Sequence, residues 1–171
     1  TFPKEAFDCW EAVERFPYLI GDFVWTALDY IGEAGIGHVW YNGEKGFLGD
    51  YPWHTAFCGD IDICGFKRPQ SFYRDCVWGI SRAPYLAVHK PEHYGKTPDI
   101  SKWGWPDVVS FWTWPGQEAK PIVVDIYCSD FEVELFLNGR SLGRKPAGKA
   151  NRYLAEFETA YEPGILEAVG Y

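Results

Sequence analysis

The sequence predicts two fold classes in succession: an α/β portion over residues 1–79 and an all-β antiparallel sandwich of immunoglobulin type over residues 107–171, joined by a connector at 80–106. Three observations carry this. A near-continuous apolar run, Tyr18-Leu19-Ile20 into Phe23-Val24-Trp25, follows directly on a segment of helical period. A second helical segment closes the same portion. Beyond residue 107 the hydrophobic period becomes two, with turn signals between short runs.

The spacing of Phe7, Trp10, Val13 and Phe16 predicts a helix over 4–16, with Pro3 suited to its first turn and Glu5 and Asp8 near its positive end. Pro17 stops it. Residues 18–25 then read as a strand covered on both faces, as strands of parallel sheets are. At its end the character changes to Thr26, Asp29, Tyr30 and Glu33, loosened by Gly32, Gly35 and Gly37. A buried strand that runs into Trp, Asp and a glycine-rich loop resembles a pocket mouth, because α/β folds bind ligands at the C-terminal ends of strands. An ordinary core strand and loop is the alternative.

Residues 36–66 read as one long aromatic loop with Trp40, Tyr41, Tyr51, Trp53, His54 and Phe57, and loops of that length usually serve function. It ends in Cys58-Gly-Asp-Ile-Asp-Ile-Cys-Gly65, where Asp60 and Asp62 are either ligand contacts or, more commonly among glycines, turn-formers. Pro69 and Gly79 bracket a second helix over 69–78. The first portion thus reads as the closing part of a larger α/β structure, since one parallel strand needs neighbours on both sides. In the second portion, candidate strands cover 108–114, 121–128, 132–137, 140–144, 153–159 and 165–171. Asn138-Gly139 supplies the hairpin signal between the third and fourth.

Composition narrows the function. The net charge is −8, with no basic stripe, which disfavours nucleic acid or an anionic membrane as partner. No stretch is long and apolar enough to span a bilayer as a helix. Aromatic residues make up 19% of the chain, and such faces suit the C–H surfaces of sugar rings, although most rings must serve cores. The cysteines Cys9, Cys58, Cys64, Cys76 and Cys128 form no disulfide framework or zinc spacing, and a Cys58–Cys64 bond stays open. No cofactor motif, metal spacing or Ser-His-Asp set emerges. His38, His54, His89 and His93 read as packing or surface groups. The opening Thr1-Phe2-Pro3, with no Met anywhere in the chain, suggests a piece of a longer protein.

The motifs GDFVWTALDYIGEAGIG and CGDIDICGFKRPQSFYRD resemble the end of the catalytic barrel in glycoside hydrolase family 2, the β-galactosidase group. The later segments IVVDIYCSDFEVELFLNGRSLGRK and YEPGILEAVGY are similar to the sandwich that follows that barrel in Bacteroides-type members. The resemblance implies a (β/α)8 TIM barrel whose eighth strand is residues 18–25 and whose last helix is residues 69–78. It also implies a retaining mechanism with two carboxyls about 5–5.5 Å apart. Both carboxylates would precede Thr1, so no catalytic residue is assigned here. The carried-over substrate-binding residues are Trp25, against the sugar ring, Asp29 beside it, and Asp60 as a weaker candidate. The implied partner is a carbohydrate, β-galactoside-like, with no cofactor, and the implied location is periplasmic or secreted. A non-catalytic carbohydrate-binding module is the alternative, and so is a structural sandwich that buttresses the barrel through Trp103, Trp105 and Trp114.

Overall fold

A computed structural model of the chain describes residues 3–43 and 48–171. In order, the elements are α1 (Pro3–Arg15), β1 (Val39–Tyr41), α2 (Pro69–Val77), β2 (Tyr85–His89), β3 (Pro98–Ile100), β4 (Val108–Val109), β5 (Pro121–Tyr127), β6 (Glu132–Leu137), β7 (Arg140–Pro146), β8 (Leu154–Ala160) and β9 (Leu166–Gly170). Short 3-10 turns lie at Pro91–His93 and Lys149–Asn151. The sheets are antiparallel throughout and helices are few. Two compact units form. One joins Thr1–Ser71 with Lys96–Asp107, and the other joins Phe72–Gly95 with Val108–Tyr171.

In the first unit α1 forms where the helical period predicts, with Phe7 buried and Trp10, Val13 and Phe16 half-buried. The run 18–25, expected as a strand, is not one: residues 18–25 pair with no strand among the described residues. Its apolar side chains face solvent, Ile20 being 100% and Phe23 94% exposed. The physical reason is that an apolar run becomes a strand only when neighbouring backbones satisfy its N–H and C=O groups. The expected barrel is therefore not formed within these residues.

The loop expected over 36–66 is interrupted by β1, which pairs with β3 in the register Val39↔Ile100, Trp40↔Asp99 and Tyr41↔Pro98. Its partner comes from the segment read as connector. Strands of three residues carry too short a pattern to show a period.

The second unit is a two-sheet sandwich. One sheet runs β4-β2-β5-β8 and the other β7-β6-β9. Central β5 presents Ile122, Val124 and Ile126 to the core, each fully buried, where they meet Val133 and Leu135 of β6 and Ala155 and Phe157 of β8. Period-two alternation puts these residues on one face. Two sequence expectations change here. The connector 80–106 contributes β2, which pairs Leu86↔Ile126 and Val88↔Val124 with the middle of the core strand. The strand expected over 108–114 shrinks to β4, because past Val109 the segment bonds to residues 161–162 instead of to a strand: the Trp112 indole Nε1–H donates to the Glu162 carbonyl at 2.9 Å and the Trp114 backbone N–H to the Tyr161 hydroxyl at 2.9 Å.

The Asn-Gly signal holds. β6 and β7 pair as a hairpin closed at Leu137↔Arg140, with φ of 52° at Asn138 and 74° at Gly139. Positive φ at both central residues is what a two-residue type I′ turn requires. The Asn138 side chain also pins the approach to β9, its Oδ1 accepting the Ile165 N–H at 2.9 Å. On the other sheet, the outer face of β2 and β5 is met by α2. Tyr85 stacks on Phe72 with ring centres 4.0 Å apart, Tyr127 meets Tyr73 edge-on, and the Tyr73 hydroxyl donates to the Arg152 carbonyl at 2.8 Å.

Candidate functional site

The candidate site lies in the first unit, where residues 26–29 run beside residues 58–61. The Thr26 N–H donates to the Cys58 carbonyl at 3.2 Å, and the Asp60 and Ile61 N–H groups donate to Thr26 and Ala27 at 2.9 Å each. The Asp29 N–H returns a bond to Ile61 at 2.9 Å, and Leu28 and Ile61 form a parallel bridge. This short ladder brings together the three residues the sequence singled out, Trp25, Asp29 and Asp60, from two separate segments.

Gly59 makes the approach possible. A Cβ there would lie 2.2 Å from the Asp29 nitrogen and 2.6 Å from the Leu28 carbonyl carbon, so any side chain would push the two segments apart. Its own N–H donates to Asp29 Oδ1 at 2.7 Å, and its carbonyl accepts Gln70 Nε2 at 2.7 Å from the start of α2. The other Asp29 oxygen takes the Arg68 guanidinium in a direct ion pair. Burial raises the Asp29 carboxyl above its usual range, while the Arg68 charge and the Gly59 N–H pull it back. With a side chain 2% exposed and both oxygens engaged by protein, Asp29 clamps the loop rather than offering a surface to a sugar hydroxyl. Asp60 is half-buried, and its carbonyl accepts the Arg68 N–H at 2.8 Å. Asp62 is a turn-former whose Oδ1 accepts the N–H groups of Cys64 and Phe66 at 2.9 Å each.

Trp25 is 51% exposed, and its peptide bond to Thr26 is cis. Its indole meets Tyr30 edge-on at 6.3 Å and Trp103 at 5.6 Å and 41°. The Tyr30 hydroxyl donates to Glu33. Burial first and the Glu33 bond second push the phenol up to about 12, so it stays protonated as a donor at neutral pH. Tyr30 and Trp103 both lie against a small buried cluster of Ile36, Ala56 and Cys58. Burial raises the Cys58 thiol too, which keeps it unionised.

His38, Trp40, Trp53 and Phe57 form a separate ring cluster, with His38 4.7 Å from Trp40 and 4.4 Å from Trp53. That is loop packing. His54 is exposed and touches the Tyr51 ring. All five cysteines are free; Cys58, Cys76 and Cys128 are buried and Cys9 and Cys64 exposed. Among the described residues no group of three His, Cys, Asp or Glu could hold a metal ion, and no helix is long and apolar enough to cross a membrane.

Sequence reasoning missed Arg68, Gly59 and Gln70, and read Trp103 as a filler between barrel and sandwich rather than as a neighbour of Trp25. Arg68 and Gln70 flank the proline that opens α2, and nothing in that spacing distinguishes them from any helix start. Gly59 reads as one turn glycine among several.

A glycosyl hydrolase family 2 member from Bacteroides cellulosilyticus, solved by crystallography, superposes on 100% of this chain and 22% of its own, at 40% identity and a TM-score of 0.83. A putative β-glucuronidase of Formosa agariphila is 33% identical over 95% of this chain and 13% of its own. A β-galactosidase of Bacteroides ovatus is 26% identical over 89% of this chain and 14% of its own. Residues 119–171 match the model of a domain of unknown function, DUF4982. The chain is homologous to glycoside hydrolase family 2 proteins, and within them it corresponds to the C-terminal region that carries this domain. It spans about a seventh of the curated relatives' length.

Proposed function

We propose that this chain is part of a retaining β-glycosidase, in which residues 1–79 complete a (β/α)8 catalytic barrel and residues 107–171, with β2 contributed by the connecting segment 80–106, form an accessory immunoglobulin-like sandwich. Trp25 supplies one wall of the sugar site, with Asp60 beside it as a hydroxyl acceptor and Asp29 as the clamp that holds both segments. The nucleophile and the acid/base carboxylate come from elsewhere in the parent protein. The sugar class is a β-galactoside-like or β-glucuronide-like glycoside, after the β-galactosidase and β-glucuronidase relatives.

The observation that carries this reading is the solvent-facing apolar run that ends in a half-exposed indole. Ile20 and Phe23 cost solvation that a soluble surface normally avoids, whereas cover by neighbouring barrel strands would turn that cost into core. The homology to family 2 proteins supports the same view.

The test is hydrolysis of chromogenic β-galactoside and β-glucuronide by the full parent protein and by this chain alone. The parent is expected to turn over one of them, and Trp25→Ala to lower kcat/KM by roughly ten-fold or more, the scale of a buried aromatic contact in a site. This chain alone is expected to hydrolyse neither. A parent inactive on all β-glycosides, together with glycan binding by residues 107–171 that survives Trp25→Ala, would overturn the reading in favour of a carbohydrate-binding module.

A further inference from the structure

We propose that Trp103 is a positioning residue that sets the plane of the Trp25 indole; this role rests on the reading of Trp25 as the sugar-contacting ring. Trp103 belongs by sequence to the connector, far from the motif that contains Trp25. Three features of the first unit bring it back.

The arm that carries it is tied to the β1 segment. β3 pairs with β1, and just beyond it the Ser101 N–H donates to the His38 carbonyl at 3.1 Å. The Gly104 N–H then closes a turn onto the Ser101 carbonyl at 2.9 Å. That turn leaves no room for a side chain at 104: a Cβ would lie 2.6 Å from Ile100 Cγ2 and 3.0 Å from the Gly37 carbonyl oxygen. Trp103 itself has φ of 61°, a region bulky residues rarely enter, so the surrounding contacts hold it there.

The surfaces of the Trp103 ring are committed to protein. It lies against Ile36, Ala56 and Cys58, and the Lys102 ammonium sits 4.6 Å from its ring centre. It is half-buried, unlike Trp25. A ring so engaged is a support rather than a platform for a ligand.

The contact it makes is with the indole of Trp25, at 5.6 Å, while Tyr30 abuts the same indole at 6.3 Å and near a right angle. Two differently angled neighbours restrict rotation about both side-chain torsions of Trp25, and still leave it 51% exposed. A stacking residue held in this way loses little freedom when a sugar arrives, and that preorganisation appears as affinity.

The experiment uses the full parent protein and whichever aryl β-glycoside it hydrolyses. Trp103→Ala is expected to raise KM by roughly 3- to 10-fold, the range of one aromatic pair, with kcat within about two-fold. Trp103→Phe, which keeps a ring in place, is expected to restore most of the KM. Near-UV circular dichroism supplies a readout independent of substrate: the coupled-indole signal should vanish in Trp103→Ala and in Trp25→Ala alike. If Trp103→Ala fails to fold, Trp103→Leu, which keeps apolar volume on Ile36 and Ala56, carries the same test. A raised KM in Trp25→Ala with an unchanged KM in the Trp103 variants overturns the positioning role alone. A fall in kcat and melting temperature with no change in KM and no rescue by Phe also overturns it, as a purely structural effect. An unchanged kcat/KM in Trp25→Ala overturns the sugar-contact reading itself.

Discussion

Residues 18–25 and residues 121–128 are two apolar runs of similar length and composition, with opposite fates. In β5, Ile122, Val124 and Ile126 are fully buried, because β2 and β8 pair with both edges and a second sheet covers one face. In the earlier run, Ile20 and Phe23 stand in solvent and no strand flanks them among the described residues. The difference teaches that an apolar run announces a demand for neighbours, while the strand itself exists only where that demand is met. β5 finds its neighbours within these residues. The earlier run does not, and the proposed barrel is the structure that would supply them.

A pair of truncations is expected to separate the two runs most widely. Ile126→Ala should destabilise the chain by about 2–5 kcal/mol, the cost of emptying a filled core position. Ile20→Ala in the same chain should stay within about 0.5 kcal/mol, as exposed substitutions do. Urea unfolding midpoints measure both. In the full parent protein, Ile20→Ala should instead approach the cost of Ile126→Ala; equal, small costs in both settings would mean that the run is never covered.

A smaller effect probes the clamp in the first unit. Arg68→Ala strands the buried Asp29 carboxylate and should cost on the order of 1–3 kcal/mol, towards the lower end because Arg68 is partly exposed. Arg68→Lys should recover only part of it, since an ammonium cannot reproduce the guanidinium fork. The comparison of interest is again with the sandwich. There the cation of Arg144, which bonds Glu134 at 2.8 Å on an open face, should be replaceable by Ala at little cost.

The smallest expected effect is a pH dependence. Glu134 accepts the Ser141 hydroxyl at 2.6 Å, and that bond, with Arg144 and Tyr171 behind it, holds its carboxyl below the ordinary glutamate value. A carboxyl with a depressed folded-state value stabilises the fold above its unfolded value and loses that contribution as pH falls through the folded one. Acid unfolding should therefore show a slightly flatter acid limb in Glu134→Gln than in the unaltered chain. Identical limbs would mean that the Ser141 bond contributes nothing.

The elements legible in the sequence are those whose signal is repeated. Phe7, Trp10 and Val13 mark α1 through several turns, and alternation marks β5, β6 and β8. Asn138-Gly139 marks a hairpin because only residues tolerant of positive φ fit both positions. What escaped were elements too short to repeat, β1 and β3, and the place of β2 in the sandwich, since Tyr85, Ala87 and His89 read only as a short extended piece of the connector between prolines at 84 and 91. In the site, Trp25 stood out because an aromatic ends an apolar run. Its supports did not, since Trp103 and Arg68 acquire meaning only from partners distant in the chain.

By itself the sequence determined the local preferences: two helices bounded by proline, a set of alternating strands, one tight hairpin, and an acidic, indole-rich composition. Tertiary structure alone decided which preferences were honoured. Hydrogen-bond pairing and burial are relations between segments, so β5 became the centre of a sandwich while Tyr18–Trp25 stayed uncovered. The same relations gave Asp29 its partners, Arg68 and Gly59, and put an indole from the connector against Trp25.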